Sequence, residues 1–169
     1  MARIGISIAL GALALSCAST TVVSQRCFRY QSQNDTKEVS PGHWSGPFAW
    51  RGVCVRNLGQ KNEDVGRLEM NGTFDGVWKS PTETVSCGAK SVTTIYFESG
   101  SYTDEAVSTC KPGPDGKLVF EGKGVFAKGT GAYEGIQGTT SIPVQKEVAL
   151  EPLPMNYDVI ELRYSLPRR

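Results

Sequence analysis

The sequence predicts an all-β protein, an antiparallel eight-stranded barrel preceded by an N-terminal signal helix, and three observations carry that expectation. Arg67–Trp78 and Lys117–Val144 alternate apolar and polar residues with period two, the pattern of half-buried strands. In both stretches glycines recur two apart on the apolar side. Finally, nineteen glycines and nine prolines, with no long run of helical periodicity, suit a chain of many strands and turns. A two-sheet sandwich is the structural rival.

In the second stretch Leu118, Phe120, Gly122, Gly124 and Phe126 share one side, with Glu121 and Lys123 on the other. Glycines so placed remove side chains where a sheet bends inward, as at the corner of a small closed barrel. Gly129-Thr130-Gly131 then supplies a turn that tolerates positive φ, and an extended run resumes beyond Tyr133-Glu134-Gly135 toward Ile142. In Arg67–Trp78 the apolar side carries Leu68, Met70, Gly72, Phe74, Gly76 and Trp78, against Glu69, Asn71, Thr73 and Asp75.

Five further runs complete the strand count: Gln25–Tyr30, Pro47–Arg56, Ser91–Glu98, Tyr102–Thr109 and Tyr157–Leu166. Pro47–Arg56 places Phe48, Trp50, Gly52 and Cys54 against Ala49, Arg51, Val53 and Val55, so both of its faces are partly buried. Gln31–Gly46 is polar and reads as a loop, and Asn57–Asp64 as a connection. Turns follow at Ser99-Gly100-Ser101 and Pro112–Gly116. Glu151-Pro152-Leu153-Pro154 reads as a loop, because proline cannot donate to a sheet ladder. Eight such strands enclose either packed side chains or one small ligand.

At the start of the chain, Arg3 precedes an apolar run from Ile4 to Leu15, so residues 1–18 read as an export signal. Ordinary cleavage after Ala18 competes with a lipobox reading of Ala14-Leu15-Ser16-Cys17, in which Cys17 is lipidated and anchors an outer-membrane lipoprotein. Either way the protein is exported, periplasmic or secreted. Residues 19–46 then form an N-terminal strand and polar loop, and 47–169 the barrel domain. Cys27, Cys54, Cys87 and Cys110 are an even set in an exported chain and imply two disulfides. Of the three connectivities, Cys87 with Cys110 across a hairpin and Cys27 with Cys54 is favoured. Without a C-x-x-C pair, and with His43 as the one histidine, a metal site is not expected.

Eighteen basic residues stand against seventeen acidic ones, with no basic stripe, so nucleic acid is not an expected partner. The membrane enters only through a lipid on Cys17. No cofactor signature is present.

The run Val125-Phe126-Ala127-Lys128-Gly129-Thr130-Gly131-Ala132-Tyr133-Glu134-Gly135-Ile136-Gln137-Gly138 resembles the strand and glycine turn of allene oxide cyclase-like barrels. It is similar also to the matching stretch of dirigent proteins. The motif residues are Gly129, Thr130, Gly131, Tyr133, Gly135 and Gly138, and the similarity spans Arg67 to Ile142. The resemblance implies an exported bacterial member of a calycin-like barrel class with a central cavity. In the plant proteins that cavity cyclises a fatty-acid epoxide or steers phenoxy-radical coupling, both by holding a reactive molecule in one conformation. The cyclase's polar residues have no counterparts placed on this chain, so the fold transfers further than the activity.

Phe74, Trp78, Phe120 and Phe126 project from the glycine-bearing faces and are the candidate lining for a small apolar ligand, lipid-like or aromatic. The competing reading is that they fill a narrow barrel. Glu98 shares a face with Tyr96, and the pair is the one weak catalytic candidate if that face lines the cavity. The alternative puts Ile95 and Phe97 in the core and Glu98 in water, and it is favoured because charges are rarely buried unpaired. Asp104-Glu105 and His43 both read as solvated. The expected function is binding of a small apolar molecule without catalysis. A cyclase-type isomerase acting on an oxidised fatty acid and a filled, protein-binding envelope module are the alternatives.

Overall fold

A computed structural model describes residues 20–57, 61, 63–80, 83–112, 118–150 and 153–167, with side chains left aside at 84, 112, 118, 143–150 and 153–158. The signal segment and Cys17 lie outside the described residues. Nine antiparallel strands form one sheet: β1 (Thr21–Asn34), β2 (Lys37–Ser40), β3 (His43–Arg56), β4 (Asp64–Ser80), β5 (Glu83–Phe97), β6 (Gly100–Pro112), β7 (Leu118–Gly129), β8 (Gln137–Leu150) and β9 (Leu153–Ser165). β3 to β9 pair in chain order, and β1 pairs with β9 on one edge and β3 on the other. Eight strands therefore ring round and leave no open edge among themselves, while β2 pairs only with β3.

The even-numbered residues of β4, and those of β7 from Phe120 to Phe126, face inward as their alternation predicts. Leu68 and Met70 are buried, and Phe74, Trp78, Phe120 and Phe126 are half-buried. Three expectations are corrected. Gln31–Gly46 is not a loop, because β1 continues to Asn34 and β2 occupies Lys37–Ser40. Nearly all side chains of 31–41 are exposed, so the backbone there pairs without an apolar alternation to reveal it. Leu153 and Pro154 open β9 rather than a loop, since a proline at the beginning of a strand removes little from the ladder. Pro143 falls where the β8–β9 register shifts between Ser141 and Val144, another place that tolerates it.

The third correction concerns β4's glycines, where the structure shows ring seats and not only corners. A Cβ at Gly72 would collide with the Phe48 ring, and one at Gly76 with the Trp78 indole. Bare backbone at these points lets both rings lie flat against the sheet.

Both favoured cysteine pairings are present. Cys27 and Cys54 are direct partners across β1 and β3, with Cα atoms 4.0 Å apart and both side chains fully buried. Cys87 and Cys110 join β5 to β6 with Cα atoms 5.0 Å apart. Such bonds suit an oxidising location. The first staples one of the two seams that close the ring, over a sequence separation of 27 residues. Replacing Cys27 and Cys54 together by Ala should remove about 3 kcal/mol of stability and lower the thermal midpoint by roughly 6–12 °C. An unchanged midpoint in circular dichroism would show that the seam does not depend on the staple.

Candidate functional site

The interior has two unlike halves. At the end where β3 finishes and β6 starts, buried side chains pack across the ring. Leu68, Ile95, Phe97, Tyr102, Ile136, Ile160 and Leu162 form this core, and Tyr133 enters it from the short 3-10 turn Gly131–Tyr133 between β7 and β8. The turn is pinned to the β5–β6 hairpin, with Ala132 N donating to Ser99 O at 2.8 Å and Thr130 N to Ser101 O at 2.8 Å. Gly131 has φ of 59° and Gly135 of 72°, so these glycines of the motif meet a backbone requirement. The glycine–tyrosine motif is thus the plug of one end.

At the centre of the plug lies Arg56, 6% exposed. Its guanidinium carbon sits 4.1 Å from the Phe97 ring, 5.1 Å from Tyr133 and 5.3 Å from Tyr102. Nη1 donates to the Tyr133 hydroxyl at 2.6 Å, and Nε to Gln25 Oε1, which also accepts from the Tyr102 hydroxyl at 2.9 Å. Burial raises the Tyr102 pKa against the opposing pull of Arg56, so the phenol remains a donor. Arg56 was invisible to sequence reasoning as a functional residue. Its even-numbered place in the inward register of β3 was the available signal.

The other end is hollow, with a cavity of about 380 Å³. β3 and β4 build an aromatic wall from Trp44, Phe48, Trp50, Met70, Phe74 and Trp78, to which Phe120 of β7 and Ile142 of β8 add. Phe74 stacks on Trp78 with centroids 5.9 Å apart and meets Phe120 edge-on at 6.5 Å. Phe48 tilts against Trp50 at 4.9 Å, and the Arg29 guanidinium lies 4.1 Å from the Trp50 ring. The adjoining wall is small: Ala89 and Ser91 of β5, then Ala106 and Ser108 of β6. Small side chains there create the room that the rings line. All three tryptophans of the chain border this space.

Of the four candidate ligand-lining residues, the structure brings Phe74, Trp78 and Phe120 together at the cavity. Phe126 belongs instead to the plug, edge-on to Tyr102 at 5.2 Å and to Tyr164 at 6.2 Å, because it lies beyond Gly122 and Gly124 on the inward side of β7. Tyr96 and Glu98 are exposed on the outer face, while Ile95 and Phe97 are buried, so the acid and phenol do not meet inside the ring. Trp44, Phe48 and Trp50 were missed, although their alternation in β3 was legible. His43 opens β3 and contacts Asp75 at 2.8 Å, and this hydrogen bond holds the Asp75 carboxyl below its usual range.

Asp104 corrects the reading of a solvated acidic pair. Glu105 is exposed, but Asp104 points inward, 6% exposed, in the layer between plug and cavity. Thr140 Oγ1 donates to its Oδ2 at 2.9 Å, and Gly124 leaves the space that both oxygens occupy. Burial outweighs this hydrogen bond and pushes the carboxyl up to about 6. The residues directly around it, Thr93, Gly124 and Thr140, carry no charge. No family model matches the chain, and no curated protein is significantly similar to it.

Two outcomes follow. A raised folded pKa means that the contribution of Asp104 to stability is complete below pH 3.8 and is lost as pH rises through about 6. Asp104→Asn should therefore stabilise the protein at pH 7 by on the order of 2–3 kcal/mol and flatten its stability profile between pH 4 and 7, measured by denaturant unfolding. Equal slopes in both proteins would contradict the buried-acid account. Separately, Gly76→Ala should push Trp78 off its seat and change tryptophan emission while the far-ultraviolet dichroism stays native.

Proposed function

We propose that the protein is an exported binder of a small apolar molecule, held in the hollow end of the ring. The observation that carries this reading is the asymmetry of the interior: one end is sealed by a hydrogen-bonded plug, and the other keeps a cavity walled by aromatic rings. Volumes of this order hold small ligands. A ring closed only to be filled would not need small residues on β5 and β6 beside bulky ones on β3 and β4.

The likeness to allene oxide cyclase-like barrels supports the same reading, because the motif that suggested it forms the plug that makes the interior a one-ended container. The two disulfides support an oxidising compartment, periplasmic or extracellular. Cyclase-type isomerase chemistry on an oxidised fatty acid is the second reading, and Asp104 is the observation in its favour. This carboxyl lies beneath the cavity and does not line it, so binding without turnover is the stronger conclusion. The filled envelope module fits least, since the hollow end is not filled.

A neutral fluorescent probe, N-phenyl-1-naphthylamine, tests the proposal. It should bind at one site per chain and brighten. Phe120→Ala should weaken binding about tenfold by removing ring contacts, and Ala106→Trp, which fills the small wall, should abolish it. If Phe120→Ala keeps full affinity and loses only stability, Phe120 is core and its assignment to the site is wrong.

A further inference from the structure

Among the described residues the cavity wall is apolar except for a few hydroxyl and amide groups, and these differ in how they are already used. The Thr36 backbone N–H and hydroxyl both donate to Asn34 Oδ1, so the Thr36 donors and this oxygen are already engaged with each other. Deeper in, on the small wall, the situation is reversed. The Ser91 hydroxyl has no hydrogen-bond partner among the described residues, and the Ser108 hydroxyl reaches only Ala89 O, at a long 3.5 Å. The two serines lie on adjacent strands and on the same inward face, since Ser91 pairs with Ala106 and Ala89 with Ser108. This puts them on neighbouring diagonal positions, within reach of one small molecule.

Hydroxyls left unused by the protein in an aromatic cavity are the polar groups that can orient a ligand. The charge of that ligand is constrained as well, because no ionisable side chain among the described residues borders the cavity. A carboxylate or an ammonium group would be desolvated there without a counter-charge. We infer that Ser91 and Ser108 are the polar anchor of the cavity and that its ligand is an uncharged, ring-bearing molecule with a hydroxyl or carbonyl oxygen directed at them. This inference rests on the cavity-binding reading and adds to it the residues that choose among apolar molecules.

The test compares two probes of nearly equal shape, 2-naphthol and 2-methylnaphthalene, by calorimetry against the intact chain. The naphthol should bind about tenfold more tightly, the effect of one or two neutral hydrogen bonds. Ser91→Ala and Ser108→Ala should each remove part of that preference. The double variant should remove all of it while holding 2-methylnaphthalene within about twofold of its original affinity. The carboxylate 2-naphthoate should bind far more weakly than either. Equal affinities of the wild-type chain for the two neutral probes, or a naphthol preference that survives in the double variant, would overturn the anchor and leave the cavity reading standing. Failure of both neutral probes to bind the wild-type chain would overturn the cavity reading and the anchor together.

Discussion

The structure depends on β1 being paired along both of its edges. A sheet running only from β3 to β9 would leave two long strands with unpaired N–H and C=O groups, a template for aggregation. β1 bridges those edges, meeting β9 from Thr21 to Phe28 and β3 from Gln25 to Asn34. The Cys27–Cys54 bond lies within the second of these seams. Closure also creates the inside, and the proposed function turns on how that inside is filled.

The two halves of the interior answer it with different chemistry. The plug buries a guanidinium, which costs several kcal/mol unless its environment compensates. Here the compensation comes from the faces of Phe97, Tyr133 and Tyr102 and from hydrogen bonds to Tyr133 and Gln25. The result is a directional network, more demanding of geometry than an apolar core would be. The hollow half has the opposite character: flat rings seated on glycines, small residues beside them, and little polarity. Asp104 and Thr140 stand at the boundary and mark where filling stops.

Much of this was legible in the sequence, wherever a face was buried over several residues. Period-two alternation located β4 and β7 and put Phe74, Trp78 and Phe120 on their inward faces. Counting cysteines around a hairpin gave the pairings. What stayed hidden was long-range or local to exposed backbone. Lys37–Ser40 pairs with β3 through its backbone while its side chains face water, so no pattern marks it. Phe126 carries the same alternation as Phe120, and only its depth in the ring separates plug from lining. Asp104 sits beside Glu105 in an acidic pair, and only knowledge of which β6 face points inward divides them. Arg56 is one more alternating position at a strand end until Tyr133, 77 residues later, is folded over it.

The hollow end is proposed to hold a molecule. A native mass spectrum of the protein purified from its own host addresses this without assuming which molecule. The account predicts one discrete non-covalent apolar adduct per chain that disappears on denaturation. A bare mature chain in every charge state, under conditions gentle enough to keep both disulfides and the folded charge distribution, would contradict it.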